Sequence, residues 1–201
     1  MPRRPEQFEE IRTEKRKLIL DTALRLFADR GYASTSISTI AKEAGISKGL
    51  MYNYFESKED LLKKIMTDFI GEMTGAMDPN RDGHLDDHEL ANALDFFFGI
   101  FRTRRDELKL YYQLSFQPEV MQYLTQSPFM QTSVRLRNMF VDYLSAKFPD
   151  DPQVAMLNMT SILKGFSLIY IYAPDNFPDE LVDRYRDYLK GFFIGKQKNE
   201  L

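Results

Sequence analysis

Gly45 stands between two short stretches of helical apolar spacing, each opened by a serine, and this restricts residues 31–62, GYASTSISTIAKEAGISKGLMYNYFESKEDLL, to helices joined by a tight turn. Ser36 is placed to cap a helix whose Ile37, Ile40, Ala41 and Ala44 recur at helical period. Gly45 stops that helix because glycine tolerates the left-handed conformation, Ile46 anchors the turn, and Ser47 caps a second helix running to about Phe55. Met51, Phe55 and Leu50 or Tyr54 cannot all point inward from so short a helix, so Lys48, Tyr52, Asn53 and Tyr54 are left facing out. An outward row of hydroxyls, an amide and a lysine suits phosphates and base edges. The window therefore predicts a helix-turn-helix that reads DNA.

Helices are predicted on both sides of it. Ile11, Leu18, Ile19, Ala23, Leu26 and Phe27 give one apolar side to a helix from about Glu10 to Arg30, ended by Gly31. Ser57 caps another, with Asp60 three residues on, whose Leu61, Leu62, Ile65, Met66, Phe69 and Met73 form an apolar stripe leading to Met77. Gly71 and Gly75 in its second half mark either a bend or a close packing contact. Further helices are expected over 87–104, 105–116, 118–124, 128–148, 152–172 and 178–196, with prolines at 118, 128, 152 and 178 where helices begin. No segment alternates with period two long enough to argue a sheet, so the fold class is all-α.

Gly31-Tyr32, Ile40-Ala41, the run Ala44-Gly45-Ile46-Ser47-Lys48-Gly49, Tyr52, Tyr54-Phe55, Ser57-Lys58-Glu59 and Leu61-Leu62 closely resemble the DNA-binding signature of the tetracycline-repressor (TetR) family of bacterial regulators. The resemblance covers roughly residues 12–65. It implies an N-terminal three-helix DNA-binding domain over 1–64, with 1–9 a flexible arm, and a helical ligand-binding and dimerisation domain over 65–201. By position, it implies DNA contacts from Ser47, Lys48, Gly49, Tyr52, Asn53 and Tyr54, a backbone contact from Thr35 or Ser36, and a phosphate contact from Lys58. Leu50 stands where the family more often has a small or polar residue. Contact with a thymine methyl and simple packing are both open to it.

Charge is distributed as DNA binding needs, although the chain as a whole carries −3. Residues 1–64 hold 13 Lys and Arg against 10 Asp and Glu, a net +3, and the remainder is net −6. Arg3, Arg4, Arg12, Lys15, Arg16 and Lys17 cluster at the start of the first helix, where an arm reaching phosphates and an ordinary solvated tail are both consistent readings. There are no cysteines, which removes disulfides, thiolate metal sites and cysteine nucleophiles. The N-terminus lacks the apolar stretch of a signal peptide and no run of eighteen apolar residues occurs, so a cytoplasmic protein with no membrane partner is expected. Both histidines, His84 and His88, lie in one acidic loop, and neither a nucleophile elbow nor a phosphate-cradling glycine loop is present; the chain does not read as an enzyme.

The last two helices carry more apolar surface than one protomer covers. Ala155, Met156, Met159, Ile162, Leu163, Phe166, Ile169 and Tyr170 make the first broadly apolar, and Leu181, Tyr185, Tyr188, Leu189, Phe192 and Phe193 stripe the second. A homodimer through a four-helix bundle would cover them and supply the twofold symmetry of a palindromic operator; a monomer burying both internally is the alternative. The middle of the chain is rich in bulky side chains, among them Phe97, Phe101, Tyr112, Phe116, Tyr143 and Phe166. These serve equally as core or as the lining of a pocket for a small apolar or aromatic effector.

Residues 78–89 match the twelve-residue calcium loop D-x-[DN]-x-[DN]-G-x5-E. Asp78, Asn80 and Asp82 would offer side-chain oxygens, His84 its carbonyl, Asp86 a water-mediated contact and Glu89 two oxygens, with Gly83 at the turn. The competing reading is an acidic loop in which Asp86 or Asp87 caps the next helix. Five carboxylates in twelve residues repel one another unless a cation or water intervenes. The chain is thus expected to be a ligand-responsive repressor binding double-stranded DNA and needing no cofactor, with Ca²⁺ as a candidate ion in this loop and a calcium sensor acting on protein partners as the rival reading.

Overall fold

The computed structural model describes residues 5–126 and 129–195. Every regular element among them is helical: α1 (Pro5–Arg30), α2 (Ile37–Glu43), α3 (Lys48–Tyr52), α4 (Lys58–Met77), α5 (Asp87–Thr103), α6 (Arg105–Ser115), α7 (Pro118–Gln126), α8 (Phe129–Lys147), α9 (Pro152–Tyr172) and α10 (Asp179–Ile194), with a 3₁₀ turn over Pro174–Asn176. Two compact units divide them. The first joins the chain up to Phe69 with Leu110–Gln126, and the second holds Ile70–Lys109 and the chain beyond residue 126. Both α4 and α6 therefore run from one unit into the other.

In the first unit, local chemistry sets each helix end. Gly31 at φ +89° terminates α1. The Ser36 hydroxyl accepts from the Thr39 N–H and starts α2. At the far end Gly45 takes φ +66°, its N–H bonds the Lys42 carbonyl at 3.2 Å, and the Ile46 N–H bonds the Ala41 carbonyl at 3.0 Å. That pair of bonds is a Schellman closure, which satisfies carbonyls that the helix leaves without partners. Ser47 accepts from the Leu50 N–H to open α3, and Ser57 accepts from the Asp60 N–H to open α4. The helices bury Ile19, Leu26, Phe27, Ile40, Met51, Phe55, Leu61 and Leu62, all fully enclosed. Each such side chain contributes roughly 1.5–3 kcal/mol through burial. Leu114 of α6 and Val120 of α7 are also fully buried.

The N-terminal helix begins at Pro5, earlier than Glu10, so of the expected arm the residues from Pro5 are helical, while Arg3 and Arg4 lie outside the described residues. Leu18 is exposed and does not join the buried side assigned to it.

The second unit is organised by α9, which packs against α8 and α5, with α10 against α5 and α8. Its interior is aromatic: Phe98, Phe101 and Tyr170 surround Phe166 at ring-centre distances of 4.8, 5.6 and 5.5 Å. Polar ties stitch α5 to α10, with Arg102 paired to Asp179 and Asp183, and Asp95 paired to Arg186 and Lys190. Arg104 joins Glu107 at 2.8 Å and also pairs with Glu72 of α4. These two carboxylates raise its pKa, the hydrogen bond to Glu107 contributing most. By length and composition α9 alone among the described helices would suffice to cross a membrane, although a third of that stretch is buried within the unit.

Candidate nucleic-acid interface

Helix α3 is only five residues long, and its faces divide cleanly. Met51 points into the core with Phe55 just beyond it, whereas Ser47, Lys48, Gly49, Leu50, Tyr52 and Asn53 lie at the surface. Tyr52 is 48% exposed. Tyr54 is half-buried, and Leu50 is 37% exposed, so part of its side chain reaches the surface and part is packed. A backbone without a side chain at Gly49, flanked by an ammonium, a phenol and an amide, leaves room for close approach by a polyanion and offers donors to base edges.

The residues around α3 have distinct duties. Thr35 is only 3% exposed, and its hydroxyl donates inward to the carbonyls of Gly31 at 2.8 Å and Leu26 at 3.2 Å. Ser36 stays at the surface, its hydroxyl shared between the α2 cap and the Thr39 hydroxyl at 2.9 Å. Of the two positions implied for a contact ahead of α2, Thr35 is thus a brace and Ser36 is the accessible one. Lys58 donates its ammonium to the carbonyls of Tyr32 and Ala33 at 3.0 and 3.3 Å and lies 4.4 Å from the centre of the Tyr32 ring. The Arg16 guanidinium is 5.3 Å from the centre of the Phe55 ring, on the inner side of α3.

Tyr32 is the hub of this bracing. Its ring meets Phe27 edge-on at 5.0 Å. Burial, followed by the Glu59 carboxylate, pushes its hydroxyl pKa up to about 12. The side chain of Gln117, between α6 and α7, accepts from the Tyr32 N–H at 2.6 Å and donates to the Phe27 carbonyl at 2.7 Å. Sequence reasoning missed this connection. Gln117 lies 85 residues from Tyr32, and no local pattern ties a lone glutamine to a distant turn.

The aromatic candidates for an effector pocket separate. Phe97, Phe101 and Phe166 come together, with Phe97 and Phe101 edge-on at 5.0 Å. Tyr143 sits elsewhere in the same unit, bonded through its hydroxyl to Asp87 at 2.7 Å, and lines an open groove of about 660 Å³ with Asp86, Met139 and Lys147. Tyr112 and Phe116 belong to the first unit, and Phe116 is exposed.

The calcium reading of residues 78–89 meets a loop whose groups already have partners. Asp78 is buried and paired with Arg135 of α8 at 3.0 Å. Asn80 and Asp82 bond one another and the loop backbone, with the Asp82 carboxylate accepting from the His84 N–H at 2.8 Å. Asp86 and Glu89 form a reciprocal capping box at the start of α5, each carboxylate accepting from the other's backbone N–H. Among the described residues no three His, Asp or Glu side chains converge as a metal would require. The physical reason is that Glu89 turns back onto Asp86, and Asp78 toward Arg135, rather than facing one centre.

Residues 19–65 match the family of bacterial regulatory proteins described as the tetR family. Over 53 residues, 26% of this chain and 18% of that protein, the sequence is 60% identical to the uncharacterized HTH-type transcriptional regulator YuxN of Bacillus subtilis. Over 104 residues, 51% of this chain and 55% of that protein, it is 30% identical to IcaR of Staphylococcus epidermidis, a negative transcriptional regulator of the biofilm operon icaADBC. The chain thus spans less than two thirds of the length of these relatives. A TetR-like transcriptional regulator from Rhodococcus sp. RHA1 superposes with a TM-score of 0.66 at 23% identity, over 89% of this chain and 93% of that one, which extends the likeness in fold to the second unit.

Proposed function

We propose that this chain, a member of the TetR family through residues 19–65, is a DNA-binding transcriptional repressor that works as a homodimer on a palindromic operator and answers to a small apolar or aromatic effector. The observation that carries the reading is α3, a capped helix that spends Met51 on the core and turns Lys48, Gly49, Leu50, Tyr52 and Asn53 outward. In this account Tyr52 and Asn53 read base edges, Ser36, Ser47, Lys48 and Lys58 contact phosphates, and Tyr54 supports the row. Thr35 acts behind it as a brace.

Two reading heads need a twofold partner to address successive major grooves. The outer face of α9 supports one: Val154, Leu157, Leu168, Ile169 and Tyr172 are exposed on a single helical side, with Ser161 and Gly165 between them. Leu181, Tyr188 and Phe192 are exposed apolar residues on α10. A second copy covering both helices buries what is otherwise a large apolar patch. The functional boundary falls near residue 64, with 65–201 for effector and dimerisation, although compactness assigns Leu110–Gln126 to the reading unit. An effector would release DNA to the extent that it binds better to an arrangement of the dimer that fits the operator less well.

The test is selection of duplexes by the purified protein from a random pool, with sedimentation of the protein alone. Enrichment of an inverted repeat bound by a dimer is the expected outcome. A monomer that enriches no sequence would overturn the proposal.

A further inference from the structure

We infer that Gln117 is a positioning residue for DNA reading: its side-chain amide clamps the turn that aims α2 and α3, making the α6–α7 corner a working part of the reading head. This rests on the DNA-binding reading above and deepens it. The Phe27 carbonyl is among the last four of α1, which the helix cannot satisfy itself, and the Gln117 Nε2 donates to it at 2.7 Å. The same amide's Oε1 accepts from the Tyr32 N–H at 2.6 Å. One planar group thus spans the end of α1 and the first residue beyond Gly31, fixing the angle at which the chain leaves the helix.

Four further hydrogen bonds hold the same turn. Lys58 takes the carbonyls of Tyr32 and Ala33, and the Thr35 hydroxyl takes those of Gly31 and Leu26. Directly after them Ser36 caps α2, and the Schellman closure at Gly45 passes that orientation to α3. An error at Tyr32 is therefore carried through rigid, capped segments to Tyr52 and Asn53. Gln117 differs from the other braces in origin. It comes from the corner after α6, a helix that begins at Arg105 in the second unit, whereas Lys58 and Thr35 lie on segments next to the turn within the first.

Gln117→Met keeps the shape and removes both hydrogen bonds; Gln117→Glu keeps the acceptor for Tyr32 and loses the donor to Phe27. Both are compared with the parent on the duplex the parent selects and on a scrambled duplex of equal length, at a temperature where circular dichroism shows every variant folded. The amide exchange of Tyr32 is followed in parallel. The expected result for Gln117→Met is a loss of about tenfold or more in affinity for the selected duplex, scrambled-duplex affinity within twofold of the parent, and faster Tyr32 exchange. Gln117→Glu is expected to fall between the two. Selected-duplex affinity within twofold of the parent in both variants, with only a lower melting temperature, would overturn the inference and leave Gln117 a purely structural residue. A parent that selects no duplex would instead overturn the underlying DNA-binding reading.

Discussion

The Lys58 ammonium donates to the Tyr32 carbonyl at 3.0 Å and lies 4.4 Å from the centre of that residue's ring. The side chain thus has a structural duty in addition to the phosphate contact that position implies. Lys58→Ala is expected to cost about 1–3 kcal/mol of stability, the range for a charged hydrogen bond with a modest cation–π term. It should also weaken binding about equally to all duplexes and lower the salt-dependence slope by about 0.9. Urea denaturation and titrations at several salt concentrations separate the two effects; an unchanged slope would assign Lys58 to bracing alone.

On the proposed dimer face, Leu157 is 63% exposed and Tyr188 65%, whereas Phe166 is only 6% exposed, inside the aromatic cluster. Leu157→Glu or Tyr188→Glu should give folded monomers by sedimentation. Phe166→Ala should leave the dimer in place and lose about 3–5 kcal/mol through the cavity it creates. Dimers persisting in both glutamate variants would move the interface elsewhere.

For the loop from Asp78 to Glu89 the expectation is thermal insensitivity to calcium. Arg135 holds Asp78, and the capping box holds Asp86 and Glu89. Calorimetry up to millimolar Ca²⁺ should show no binding heat and no shift in melting temperature. Asp86→Ala should cost about 1 kcal/mol by uncapping α5. A calcium-dependent rise in melting temperature, lost in Glu89→Gln, would establish the ion-binding reading instead.

Tyr32 supplies an alkaline signature. Its folded pKa lies near 12, above the roughly 10 of an unfolded tyrosine, so burial favours the neutral phenol. Its stabilising contribution is complete below pH 10 and is lost as pH rises toward 12. Denaturation across that window should fall less steeply for Tyr32→Phe than for the parent; identical slopes would show that the phenol does not sense the fold.

Local chemistry explains which parts of this account were legible in the sequence. The caps at Ser36, Ser47 and Ser57 and the stop at Gly45 act within a few residues, and the structure places all four as their spacing suggests. Helix α9 occupies its expected 152–172 span, with Pro152 at its start. What was hidden depends on distant pairing. Nothing near Asp78 announces Arg135, nothing near Tyr32 announces Gln117, and a phenylalanine-rich stretch does not say that Phe101 is enclosed while Phe116 is exposed. The calcium pattern fixes residue types alone, whereas the rotamers of Asp78 and Glu89 depend on Arg135 and on the cap of α5.

The central claim is that the outward face of α3 reads DNA sequence. Its most direct measurement compares the affinity of the parent, Tyr52→Ala and Asn53→Ala for the selected duplex and for duplexes with single base-pair changes. Each substitution should cost roughly 1–3 kcal/mol of discrimination at one or two positions of each half-site, while leaving binding to scrambled DNA and thermal stability unchanged. If both variants discriminate among duplexes as the parent does, α3 is not the reading helix and the account is contradicted.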